Sequence, residues 1–119
     1  MAVLIKEGVV SELATANWDG LIEKAMGTLS GGNSSLAVCV KSADLQEAQN
    51  NPKLIKFHGC AIRAREDEGV YREYIVGRGS QITDWANNDR VKALADHLKV
   101  TISARPTLML GLSVQDFNI

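Results

Sequence analysis

The stretch KLIKFHGCA, Lys53–Ala61, decides the fold class of this 119-residue chain and points to its candidate site. An apolar run stops at His58, which is followed at once by Gly59. Short apolar runs bounded by polar residues and glycine are typical of buried strands. The stretch therefore predicts a buried strand that presents an imidazole at its end, beside the one residue without a side chain.

Similar patterns predict strands and helices that alternate along the chain. The further elements that we expect are strands at residues 35–41 and 107–113 and helices at residues 20–29, 43–51 and about Thr83–Lys99. Asp19 and Ser42 are expected to cap the first two of these helices, and residues 61–77 are open between a β-excursion and irregular chain. This order predicts an α/β fold in layers, with a mostly parallel sheet.

Composition excludes several classes of protein. The formal net charge is −1, with both signs interspersed, so we expect no nucleic-acid partner and no acidic membrane surface. No apolar run approaches the ~20 residues that span a bilayer. The two cysteines, Cys39 and Cys60, are far apart and lack the spacing of zinc ligands. We expect a single reduced, cytoplasmic domain that binds no metal.

Polar residues and glycines occur at the ends of three expected strands, the first of which is the apolar segment before Asn17. These turns contain Asn17 and Asp19, then His58 with Gly59, and finally Gly111 with Ser113. Because ligands bind outside the carboxyl ends of parallel strands, the three turns together predict a ligand site.

Each candidate also has a structural interpretation. His58 could transfer a proton, with Gly59 giving a ligand room, or it could bond a neighbouring carbonyl. Asn17 and Asp19 could bind ligand oxygens, or they could form a turn and a helix cap. Cys60 could pair with His58 as nucleophile and base, although a buried structural thiol is the simpler interpretation.

Three segments, taken in order, resemble sirtuin-like NAD-binding domains. LATANWDGLIEKA (residues 13–25) resembles their T-x-N-x-D segment, in the bacterial form that continues into a helix. LIKFHGCA (residues 54–61) resembles their K-[LF]-H-G segment, and TLMLGLSVQDFNI (residues 107–119) resembles the closing segment with G-x-S-x-x-D. The resemblance extends from about Ser11 to Ile119.

The resemblance implies a Rossmann-like, three-layer domain that takes NAD as its substrate and cleaves the bond between nicotinamide and ribose. Asn17 and His58 would then be catalytic. Asn17 would position the attacking water or the nicotinamide ribose, and His58 would be the general base acting on a ribose hydroxyl or on water.

The resemblance also implies a set of residues that bind NAD or its product ADP-ribose. Asp19 would hold the nicotinamide-side sugar or carboxamide, and Gly111 and Ser113 would contact the adenosine side or the phosphates. Thr15 and Gly59 belong to the same motifs and complete the set.

Two departures from the family pattern shape the expectation. The zinc module of sirtuin deacetylases has four cysteines, so with only two we expect no zinc and favour NAD hydrolysis, as in the bacterial defence members of the group. No G-A-G-x-S-type loop stands before Thr15. We therefore expect residues 1–119 to be a single partial domain that lacks the N-terminal phosphate-binding strand, loop and helix, with an incomplete sheet.

A partial domain suggests self-association or a missing companion segment, because an uncovered sheet edge invites pairing. The alternative function is a non-catalytic α/β binding or assembly module that is a domain remnant. A structural α/β protein whose turns resemble the family by chance is a third possibility.

Overall fold

The computed structural model describes residues 1–111, except the side chain of residue 83. The strands are β1 (Glu12–Thr15), β2 (Ala37–Cys39) and β3 (Lys53–Lys56). The helices are α1 (Ala2–Lys6), α2 (Leu21–Leu29), α3 (Ser42–Ala48), α4 (Ala61–Glu66), α5 (Glu68–Tyr71), α6 (Gly79–Asp84) and α7 (Lys92–Ala104), with 3-10 turns at Arg72–Tyr74 and Trp85–Asn87.

The three strands form one open parallel sheet in the order β1-β3-β2. The central strand β3 pairs Lys53 with both Glu12 of β1 and Ala37 of β2. Parallel neighbours need a crossover connection, which α2 and α3 provide here. The α/β class and the parallel sheet predicted from the sequence are thus confirmed.

Helices cover both faces of the sheet. Ile55 and Cys39 pack on one face with Leu94 of α7 and Ala48 of α3, and all four side chains are buried. Lys56 follows Ile55 in the strand and therefore points to the opposite face. There it meets α2, which gives the expected three layers.

Some local predictions were wrong. Residues 61–77 include α4, α5 and a 3-10 turn, because alanine, arginine and glutamate favour helix and the Asp67 carboxylate accepts a hydrogen bond from the N–H of Val70 at 3.2 Å. Ser42 does not cap α3 but is its first residue. The capping oxygen belongs to Asp44, which accepts hydrogen bonds from the N–H groups of Val40 and Lys41.

The helix expected at about residues 83–99 is divided. A turn separates the two helical parts, because the Asn88 side chain accepts a hydrogen bond from the N–H of Arg90 at 3.0 Å and its carbonyl accepts one from Val91. The last expected strand, residues 107–113, is absent from its described part. Leu108 and Leu110 are 73% and 61% exposed there, without a neighbouring strand to pair with.

Candidate functional site

The register of the sheet brings two of the predicted site residues to the same level. Thr15, the last residue of β1, pairs with Lys56, the last residue of β3. Asn17 and His58 each lie two residues beyond that pair. Since neighbouring strands are about 4.8 Å apart, the two turns are adjacent at the carboxyl edge of the sheet. The prediction that these strand ends converge is confirmed for this pair.

The turn after β1 is held by its own side chains. The Thr15 hydroxyl accepts a hydrogen bond from the N–H of Asn17 at 3.1 Å. The Asp19 carboxylate accepts one from the N–H of Leu21 at 3.0 Å, at the start of α2. The Asp19 carboxylate therefore bonds the first N–H of α2 as expected, although the N-cap position itself belongs to Gly20. Between Thr15 and Asp19, Asn17 is exposed.

His58 is half-buried between aromatic rings. Its imidazole lies 4.7 Å from the Phe57 ring and 6.2 Å from the Trp85 ring, measured between centroids, with interplanar angles of 73° and 77°. Its carbonyl accepts a hydrogen bond from the N–H of Val76 at 3.0 Å. Edge-on aromatic packing restricts the orientation of the ring, which is what a positioned proton acceptor requires.

Close packing against the chain at residues 74–75 requires a glycine at position 59. Its φ of +93° is a conformation that side chains disfavour, and a Cβ there would lie 2.7 Å from the Tyr74 carbonyl oxygen and 2.9 Å from the Ile75 Cα. The space that we expected a ligand to use beside this glycine is therefore taken by the backbone of residues 74–75.

Residues 74–77 form a strap over both strand-end turns. The strap contacts Gly59 through Tyr74 and Ile75, and it bonds His58 through Val76. The Trp18 ring lies 3.7 Å from the position that a Cβ on Gly77 would take. Sequence reasoning missed this connection because it left residues 61–77 without an assigned structure.

A buried lysine lies beneath the two turns. Lys56 is 1% exposed, and its ammonium lies 2.6 Å from Glu23 Oε1 and 3.5 Å from Cys60 Sγ. It also donates a hydrogen bond to the Asp19 carbonyl. One ammonium thus joins the turn after β1, the turn after β3 and α2. The sequence signal was a charged residue between the apolar residues Ile55 and Phe57.

The two cysteines are both buried and reduced. Burial raises the pKa of the Cys39 thiol to about 11, with the Asp44 carboxylate as the next cause. Cys60 lies against Lys56, as described above. Both positions suit structural thiols better than exposed nucleophiles.

A cleft of about 350 Å³ lies on the far side of the residues that pack against His58. Trp85, whose ring faces the imidazole, is one of its walls, and Tyr74 and Val76 of the strap are others. An ion pair between Arg90 and Glu73, 2.7 Å long, lies at the same cleft. The residues that line this cleft lie between positions 73 and 91, and none of them was indicated as a site residue by the sequence.

The third predicted turn is not joined to the first two by a strand. Gly111 is exposed, with a φ of +69°, and no Cβ contact would arise within 4 Å of it. Ser113 lies outside the described residues. Both remain predicted contacts of the adenosine side or the phosphates of the ligand.

Residues 1–111 contain no group of three or more His, Cys, Asp or Glu side chains arranged to hold a metal ion. None of the helices described in that range is long and apolar enough to cross a membrane.

Comparison with known protein families gives a match over most of the chain. The family model described as the SIR2-like domain matches residues 11–119. No curated protein and no solved structure gives a significant match. The matched range includes both strand-end turns, the buried lysine and the strap, and it covers most of the chain. The chain therefore belongs to the SIR2-like domain family, which indicates an NAD-related function.

Proposed function

We propose that this chain is a NAD glycohydrolase-type domain, which releases nicotinamide from NAD and leaves ADP-ribose. The observation that carries the proposal is the parallel register of β1 and β3, because the turns that follow these two strands, with Asn17 and His58, begin at the same carboxyl edge of the sheet. Membership of the SIR2-like family supports NAD as the ligand.

The chemistry needs few protein groups. The bond between the nicotinamide nitrogen and the ribose C1′ breaks, and the ribose becomes oxocarbenium-like, as in glycoside cleavage. Water then adds to C1′ and loses a proton. Such a reaction depends on a held substrate, an oriented water and a nearby proton acceptor.

In this proposal His58 takes the proton from the water or from a ribose hydroxyl. The exposed amide of Asn17, one strand away, orients the water or the nicotinamide ribose. Thr15 and Asp19 act near the nicotinamide-side sugar while keeping their structural bonds to the turn. Gly59 acts only through its backbone, because its Cα side faces the strap.

The test is nicotinamide release from NAD, read by chromatography. We expect His58→Gln and His58→Ala to lower the rate at least about a hundredfold, the usual contribution of a general base. His97→Gln is the matched control, because His97 bonds Glu12 at the opposite end of β1. It should leave the rate unchanged.

Thermal unfolding of the same variants separates chemistry from folding. The melting temperature of His58→Gln should stay close to that of the unaltered chain. An equal loss of rate in the His97 variant, or unaltered release in both His58 variants, contradicts the role of His58. No release from any form contradicts the enzyme proposal for this chain.

A second candidate function is an assembly module, favoured by an exposed apolar groove between α1 and α2. Val3 and Leu21 line it and are 55% and 68% exposed. Exposed apolar surface of this kind often marks an interface. We propose that a second copy of the chain covers it. Light scattering should then show a dimer that Leu21→Ser dissociates, and a monomer at high concentration would contradict it.

The other sequence-based expectations stay predictions. They are the bacterial defence type of the domain, its cytoplasmic location, and its being a partial domain without the N-terminal phosphate-binding segment.

A further inference from the structure

Two cations share one aromatic ring at the surface of the protein. The Lys41 ammonium lies 4.9 Å from the centroid of the Tyr71 ring, and the Arg63 guanidinium carbon lies 5.8 Å from it. All three side chains are half-buried. They come from the loop after β2, from α4 and from α5, so three separate segments converge here. We refer to Lys41, Arg63 and Tyr71 as the cation cluster.

The cation cluster lies at the same edge of the sheet as the proposed catalytic residues. Lys41 is two residues beyond Cys39, the last residue of β2, as His58 is two beyond the end of β3. Burial raises the pKa of the Cys39 thiol, and Arg63 is among the charges that lower it. The guanidinium is therefore within electrostatic reach of the end of β2.

Neither cation has a carboxylate partner within residues 1–111. Within residues 1–111, seven lysines and arginines form no ion pair. Two of these seven, Lys41 and Arg63, are half-buried. The five others are exposed: Lys6, Lys24, Arg65, Arg78 and Arg105. The Asp44 carboxylate is close in sequence to Lys41, but it accepts hydrogen bonds from backbone N–H groups at 2.8 and 3.1 Å.

Such an arrangement favours an added anion. Two like charges on one ring repel each other, and partial burial weakens the screening by water. The ring itself offsets only part of this cost through cation–π attraction. A planar guanidinium and an ammonium together match the oxygens of a phosphate, the first by paired hydrogen bonds and the second as a point charge.

We propose that Lys41 and Arg63 bind a phosphate or diphosphate group of a ligand at the carboxyl edge of the sheet. Under the proposed function, on which this identification of the ligand rests, the group is the diphosphate of NAD and ADP-ribose. The cation cluster then holds the middle of the dinucleotide near β2, while Asn17 and His58 act at β1 and β3.

The test uses pyrophosphate and ADP-ribose as probes, titrated by calorimetry into the whole chain. Lys41→Ala and Arg63→Ala should each weaken both ligands about tenfold, the loss of one charge-assisted hydrogen bond. Arg65→Ala is the matched control, because Arg65 is on the same helix but exposed. The affinity of the Arg65→Ala variant for pyrophosphate and ADP-ribose should stay within about twofold of that of the unaltered chain. Unchanged thermal unfolding confirms that each variant is folded.

The outcomes test the anion site independently of the proposed glycohydrolase activity. Pyrophosphate binding that depends on both cations supports the anion site even if no nicotinamide is released. Absent pyrophosphate binding, or an equal loss in Arg65→Ala, overturns it even if NAD is hydrolysed. An ADP-ribose affinity that neither substitution changes overturns the assignment to the dinucleotide.

Discussion

The Lys56 ammonium lies 2.6 Å from Glu23 Oε1, in an ion pair that is closed to solvent on the lysine side. The second oxygen of Glu23 is buried and has no protein partner among the described residues. Breaking such a pair leaves one charge in a poorly hydrated place, which usually costs more than the pair contributes.

We therefore expect Lys56→Met to lower the free energy of unfolding by about 2–4 kcal/mol. The double variant Lys56→Met with Glu23→Leu should recover much of the loss, because no unpaired charge remains. Urea unfolding of the two variants checks this. If the double variant is as unstable as the single one, the loss of stability comes from altered side-chain packing and not from the unpaired charge.

Gly59→Ala should destabilise the protein by at least about 2 kcal/mol, because the added Cβ meets backbone atoms at a positive φ. Gly27→Ala is the matched control. Gly27 lies inside α2, and a Cβ on it would meet nothing within 4 Å. The free energy of unfolding of Gly27→Ala should therefore rise by up to about 1 kcal/mol. Thermal unfolding measures both, and a neutral Gly59→Ala would contradict the close approach of the strap.

The Cys39 thiol should resist alkylation at neutral pH as long as the protein is folded, since burial raises its pKa from 9.0 to about 11. The unfolded chain loses this proton first as the pH rises. The contribution of this protonated thiol to the free energy of unfolding is therefore fully present below pH 9.0, and it is lost as the pH rises from 9.0 to about 11. Comparison of the unaltered chain with Cys39→Ala over that range isolates the effect. Identical pH profiles would contradict it.

Glu12 connects the sheet to α7, and its loss should weaken that contact. One oxygen of its carboxylate lies 2.9 Å from His97 Nε2 and accepts a hydrogen bond from the Thr101 hydroxyl at 3.4 Å. The other oxygen lies 3.7 Å from the Lys53 ammonium. Glu12→Gln should cost about 1–2 kcal/mol in urea unfolding. The exposed Glu66→Gln should be neutral, and an equal effect of both would contradict the proposal.

The parts of the fold predicted from sequence are those that local pattern determines. The apolar run before His58 indicated β3, and Asp19 before a helical pattern indicated the start of α2. Both signals arise from residues within one turn or strand. The adjacency of Asn17 and His58 followed from the rule for parallel sheets.

The parts that were missed depend on contacts between distant residues. The pair of Lys56 with Glu23 joins segments that lie on different sides of β2 in sequence, and nothing local indicates it. Arg63 and Tyr71 lie in a segment whose pattern is ambiguous, and only the folded chain brings Lys41 to the ring that Arg63 contacts. The apolar spacing that predicted the long helix runs from Val91 to Leu98, entirely after Asn88, so it gave no indication of the division there.

The strap and the aromatic packing around His58 have a practical consequence for spectroscopy. The chain has only two tryptophans. The Trp18 ring lies 3.7 Å from the position that a Cβ on Gly77 would take, and the Trp85 ring lies 6.2 Å from the imidazole of His58, measured between centroids. All of the indole emission of the protein therefore originates beside the candidate site. A titration of the unlabelled protein followed by fluorescence reports on that site alone, with Trp18→Phe and Trp85→Phe separating the signal of the strap from that of the histidine.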